Sequence, residues 1–204
     1  MTTTPPAESP LQTTHLLYLH GFRSSPQSHK ARMVAHYVAQ HHPQVRWLCP
    51  QLPPSPKAAM ALVRTAIQNW PVRQMAVVGS SLGGFYATYV AETLGCTAVV
   101  LNPAVSPSRD LEKYIGEQTS WHDPAAHFYF APEYVQELSD LQCGPLSQPE
   151  RYMAVIAKGD ELLDWREMHN RYSASHLRLL DESDHALSDF DTHIDAVMDF
   201  LQLA

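Results

Sequence analysis

Short apolar runs recur along the chain at His15–His20, Val45–Leu48, Met75–Val78, Thr97–Leu101, Tyr152–Ala157 and His176–Leu180. Several are apolar throughout, without the alternation of a half-buried strand, so they read as strands covered on both faces. The segments between them change period. Ser28 is placed to cap a helix running to about His42, with Ala31, Val34, Ala35 and Val38 on one face. Ser55-Pro56 is a cap with proline at the first helical position, followed by the stripe Met60, Val63, Ile67 and Trp70. Phe85–Leu94 and Asp164–Tyr172 predict two further helices. A last one has Ser188 as its cap and Phe190, Ile194, Val197, Met198 and Leu201 facing inward. Six strands alternating with helices predict an α/β fold with a mostly parallel sheet covered on both faces.

The rhythm breaks after the fourth strand. Residues 103 to about 150 hold Pro103, Pro107, Pro124, Pro132, Pro145 and Pro149, with Trp121, Phe128, Tyr129, Phe130 and Tyr134 among them. Prolines limit helices to short pieces, near Arg109–Tyr114 and Pro132–Leu141. The aromatics are too many for a solvated linker. The stretch therefore reads as a small lid, with Trp121, Phe128 and Phe130 either as candidate substrate-binding residues or as aromatics that pin the lid to the body. Residues 1–14 are Thr/Pro-rich and expected to be a disordered tail, leaving one domain over 15–204.

Composition narrows the chemistry. A net charge of -7 argues against nucleic acid or an anionic membrane as partner. Twelve histidines are scattered without ligand spacing, so no metal is expected. There is no G-x-G-x-x-G or G-K-[ST] either, so no cofactor is expected. Three distant cysteines, Cys49, Cys96 and Cys143, are not a disulfide framework. With no basic, apolar leader and no run long enough to span a membrane, a cytoplasmic protein is expected.

In a parallel sheet, working residues gather at the carboxyl ends of the strands. After the third strand stands Gly79-Ser80-Ser81-Leu82-Gly83, a match to the G-x-S-x-G nucleophile elbow. The frame selects Ser81, because Ser80 would be flanked by Val78 and Leu82. Alone the pattern is weak, since a glycine-rich βα turn with an idle serine also fits it. The strand before and the helix after strengthen it. A serine needs a base, and the base an orienting carboxylate, in the order Ser, Asp or Glu, His. His185 follows the sixth strand, whereas His169 and His193 fall in helices and His176 starts a strand. Asp160 follows the fifth strand, with Glu161 and Asp164 close enough to compete; Asp164 also suits a helix N-cap. The backbone N–H groups of Leu82 and Phe22 are the candidate oxyanion donors. His20 and Gly21, in the same loop, are candidates for shaping the substrate site.

Tyr18-Leu-His-Gly-Phe22, Ser24-Ser-Pro26, Lys30-Ala31, Pro50-Gln-Leu-Pro53, Gly79–Gly84, Asn102-Pro-Ala-Val105, Gly159-Asp-Glu161, Leu163-Asp164 and Asp184-His185 together resemble the YqiA-like esterase family of α/β-hydrolases. The resemblance covers nearly all of the chain after residue 14. It implies a compact α/β-hydrolase with Ser81, Asp160 and His185 as catalytic triad, acting on small-molecule acyl esters or thioesters. Arg23 stands where a small neutral polar residue is expected, a departure that bears on substrate preference. Two other readings stay open: an acyl-CoA thioesterase with the same triad, and a non-catalytic binding protein on the hydrolase fold. The sequence leaves the oligomeric state open.

Overall fold

The computed structural model describes residues 12–121, 123 and 125–204. In chain order its elements are β1 (His15–Leu19), α1 (His29–His41), β2 (Arg46–Leu48), α2 (Pro56–Ile67), β3 (Met75–Ser80), α3 (Leu82–Leu94), β4 (Thr97–Leu101), α4 (Pro107–Leu111), β5 (Gly116–Thr119), β6 (His127–Phe130), α5 (Pro132–Asp140), β7 (Tyr152–Ala157), α6 (Trp165–Tyr172), β8 (His176–Leu180) and α7 (Ile194–Leu201). Six strands form one sheet in the order β2-β1-β3-β4-β7-β8, every neighbouring pair parallel. All the working loops therefore leave the same edge.

Alternate residues of each strand feed opposite cores. Leu17, Leu19, Val77, Val100 and Ile156 face one side, against Met60 and Val63 of α2, Phe85 of α3 and Met168 of α6. Leu16, Tyr18, Val78, Val99 and Val155 face the other, against Val34 and Val38 of α1 and Val197 and Leu201 of α7. Burying each such aliphatic side chain stabilises the fold by about 1.5–3 kcal/mol. Both faces must be apolar, which is why β3 and β7 are buried at every position.

Several local expectations need adjusting. The last helix starts only at Ile194, after a 3-10 turn over Phe190–Thr192. Ser188 does not cap it: its N–H and Oγ both bond to the Asp184 carboxylate at 2.9 and 2.6 Å. The inward side chains are nevertheless buried as expected. Helix α3 begins at Leu82 rather than Phe85, since packing overrides the poor helix propensity of Gly83 and Gly84. The insertion carries short helices α4 and α5, and also an antiparallel hairpin, β5–β6, that the sequence reading did not place.

Of the expected tail, residues 1–11 lie outside the described residues, as does Pro124 of the insertion. Thr13 and Thr14 are tied to the domain. Thr13 N–H donates to Gln202 O and Thr13 O accepts from Ala204 N–H, each at 2.9 Å, and Thr14 N–H donates to Gln74 O at 2.8 Å. No helix among the described residues is long and apolar enough to cross a membrane.

Candidate active site

At the end of β3 the chain reverses within one residue. Ser81 has φ 58° and ψ -122°, a left-handed conformation that costs an L-residue about 1–2 kcal/mol. Its neighbours hold it there. Ser81 N–H donates to Leu101 O at 2.9 Å, and Ser81 O accepts from Gly84 N–H at 2.9 Å and Ala104 N–H at 3.0 Å. The glycine frame is steric: a Cβ on Gly79 would lie 2.0 Å from Gly83 O, and one on Gly83 would lie 1.9 Å from Leu19 O. Both serines border one cleft, but Ser80 is buried whereas Ser81 is partly exposed.

His185 and Asp160 complete a hydrogen-bonded row. Asp160 Oδ2 is 2.7 Å from His185 Nδ1, and His185 Nε2 is 3.1 Å from Ser81 Oγ. A carboxylate only accepts, so Nδ1 carries the proton and Nε2 turns its lone pair to the serine hydroxyl. The Asp160 side chain has no exposure, and its other oxygen accepts from the N–H groups of Leu162 and Leu163 at 2.9 and 2.8 Å. Those bonds compensate for burying its charge. The competing carboxylates are occupied elsewhere. Asp164 caps α6 through Arg166 N–H, and Glu161 accepts from the backbone N–H of His185, not its ring.

Two backbone amides adjoin Ser81: Leu82 follows it in the chain, and Phe22 lines the same cleft. Leu82 is the first residue of α3, so its N–H has no intrahelical acceptor. Phe22 follows Gly21, whose Cα packs against Ser81: a Cβ there would lie 3.2 Å from Ser81 Cβ. Among the described residues, neither Leu82 N–H nor Phe22 N–H donates to a protein acceptor. His20 is buried beneath the same loop. It accepts from Leu52 N–H through Nε2 at 3.0 Å, so its Nδ1 is the donor to Gly21 O, also at 3.0 Å. That is a loop brace rather than a second base.

The insertion holds this loop from outside. Phe22 packs its ring edge-to-face on Phe128 and Phe130, with centroids 5.8 and 5.2 Å apart. Arg23, at φ 59°, donates through Nε to Thr119 O at 2.6 Å and through Nη2 to Thr119 Oγ1 at 2.9 Å. Arg23, expected to bear on substrate choice, is thus bonded to β5 and also borders the larger cavity beside the loop. The three candidate aromatics separate. Phe130, 1% exposed, is core. Phe128 is half-buried on a cavity of about 670 Å³, whose lining includes Leu52, Pro53, Leu62, Leu82 and Tyr86. Trp121, 64% exposed, borders the cleft of about 460 Å³ that contains Ser81 and His185.

Two further groups at the site, Lys30 and Asn102, lie in the motifs quoted above but had no role assigned from the sequence. Lys30 lines the Ser81 cleft and bonds to Ala186 O; burial pushes its ammonium down to about 8, against the pull of Asp184 and Asp160. Asn102, wholly buried, bonds to the backbone of the His185 loop. An asparagine directly after a buried strand, ahead of a proline, was the available signal. Among the described residues, no group of three or more His, Cys, Asp or Glu side chains is placed to hold a metal ion.

This fold is that of the α/β-hydrolases. The chain superposes on mouse alpha/beta hydrolase domain-containing protein 10 with a TM-score of 0.68, at 14% identity over 93% of this chain and 91% of that one. Est1E of Butyrivibrio proteoclasticus, in its ferulic-acid-bound structure, gives 0.71 at 14% identity, over 96% and 91%. The Pyrococcus furiosus esterase Pf2001 gives 0.63 at 18%, over 93% and 80%. Residues 15–202 match the model of UPF0227, described as an uncharacterised protein family, and the chain belongs to that family, the YqiA family whose motifs it carries. A UPF0227 protein of Serratia proteamaculans is 26% identical over 153 residues, 73% of this chain and 77% of the relative.

Proposed function

We propose that the protein is a serine esterase acting on small acyl esters through an acyl-enzyme. One observation carries the reading: Asp160, His185 and Ser81 stand in hydrogen-bonded sequence, with Ser81 held at positive φ at the start of a helix. In this account Ser81 Oγ attacks the ester carbonyl as its proton passes to His185 Nε2. Asp160 holds the ring tautomer and stabilises the imidazolium. The carbonyl oxygen, now negative, is met by the N–H groups of Leu82 and Phe22. Collapse expels the alcohol, which takes the proton from His185. Water, activated by the same ring, then releases the acid and frees Ser81.

The apolar cavity beside Leu82 and Phe128 suits the acyl chain, and the insertion over residues 103–150 acts as its lid on a single domain spanning 15–204. Two fold neighbours whose names call them esterases, or which bind ferulic acid, support the reaction class. Steady-state hydrolysis of p-nitrophenyl acetate and butyrate tests the reading. Ser81→Ala is expected to lower kcat by roughly 10³-fold or more with the melting temperature unchanged. Equal rates in the two proteins, or no hydrolysis by the folded wild type of any short ester or thioester, would sink it.

A further inference from the structure

We infer that Asn102 is a positioning residue that sets Ser81, His185 and Asp160 relative to one another. The inference rests on the serine-esterase reading and adds a residue to it. Asn102 follows β4 at φ 41°, a region asparagine enters more readily than other non-glycine residues, and has no solvent exposure.

Its side chain is fully used. Nδ2 donates to Asp184 O at 2.9 Å and His185 O at 3.1 Å, and Oδ1 accepts from Ala157 N–H at 2.8 Å. The partners fix the amide's orientation without ambiguity: carbonyls demand the NH₂, and an N–H demands the oxygen. Its backbone N–H donates to Val155 O at 2.9 Å, completing the β4–β7 ladder.

These bonds join three separate segments. Leu101, just before Asn102, receives the Ser81 N–H, and Ala104, just after it, donates to Ser81 O. Ala157 ends β7, whose following turn carries Asp160. Asp184 and His185 form the loop of the base. A single amide therefore spans the ends of β4 and β7 and the histidine loop, while touching none of the reacting atoms. Misplacing reacting groups by about 1 Å can lower a rate by about 10²-fold.

The test compares Asn102→Gly, Asn102→Ser and wild type on p-nitrophenyl acetate, with active sites counted by fluorophosphonate titration. Glycine keeps the positive φ accessible and removes all three side-chain bonds. Serine retains one hydroxyl and cannot bridge the three partners. Expected for Asn102→Gly is a kcat per titrated site lower by about 10–100-fold, with KM within about threefold and the inactivation rate falling in step. Asn102→Ser should fall between glycine and wild type. If kcat per titrated site stays within twofold in both folded variants, the inference is overturned, even where fewer molecules titrate. Failure of both to fold also overturns it, by assigning Asn102 to folding. Absence of Ser81 labelling in wild type is a different result, and strikes the esterase reading itself.

Discussion

The Arg23 guanidinium lies 4.2 Å from the centroid of the Trp121 ring, and Trp121 N–H donates to Arg23 O at 2.8 Å. Each residue thus holds the other twice, once through the side chain and once through the backbone. Because Phe22 directly precedes Arg23, the pair fastens the insertion to the loop that presents the Phe22 amide. A change at residue 23 should therefore act on loop geometry rather than on substrate charge. Arg23→Ala and Arg23→Gly both remove the side-chain half of the latch and leave the backbone bond from Trp121 N–H, but only glycine relieves the φ of 59°, a difference of about 1–2 kcal/mol. Both variants should lose kcat to a similar extent, and Arg23→Gly should melt higher than Arg23→Ala. Opposite charge preferences toward cationic and anionic esters, with kcat on a neutral ester intact, would instead make Arg23 a substrate contact.

The proposed triad gives the two aspartates near His185 separable effects. Asp160→Asn leaves His185 without the carboxylate that fixes its tautomer, and kcat should fall on the order of 10⁴-fold. Asp164→Asn should cost little, since asparagine caps a helix about as well and the bond to Arg166 N–H survives. Kinetics of both variants on one ester decide the matter. The reverse order of damage would move the orienting role to Asp164.

Phe128 and Phe130 are two residues apart and should fail differently. Phe130→Ala empties a core position, at a cost of about 3–5 kcal/mol, and should lower the melting temperature for all substrates alike. Phe128→Ala opens the wall of the apolar cavity. In wild type kcat/KM should climb severalfold per two-carbon step of the acyl chain, at about 0.8 kcal/mol per buried CH₂. The climb should flatten in Phe128→Ala with the acetyl rate little changed. An unaltered chain-length profile in that variant would make Phe128 packing only.

The central strands were legible because a sheet covered on both faces leaves its mark on nearly every position: β4 and β7 run over the apolar runs read from sequence, and the edge strand β8 coincides with its run although it is only partly buried. The elbow was legible for a steric reason, since glycine at 79 and 83 is demanded by backbone atoms closer than any Cβ allows. Asp160 and Asp164 could not be separated by number alone. What separates them is burial and the N–H groups of Leu162 and Leu163, which only the folded turn supplies. The hairpin stayed hidden because Gly116–Thr119 is polar and only partly buried, so its pairing with β6 leaves no period in the sequence. Arg23 and Asn102 stand out locally, one as a departure from the expected residue and the other as a polar residue after a buried strand, but their partners at Thr119, Asp184 and His185 lie about 80 to 100 residues away and only the fold brings them together.

The proposed chemistry turns on Ser81 as the nucleophile. Incubation with a fluorophosphonate, followed by proteolysis and mass spectrometric mapping, tests it directly. One adduct per folded chain is expected, on Ser81, lost in Ser81→Ala and slowed in Asp160→Asn. An adduct on Ser80 with Ser81 free, or a folded protein that takes up no label, would contradict it.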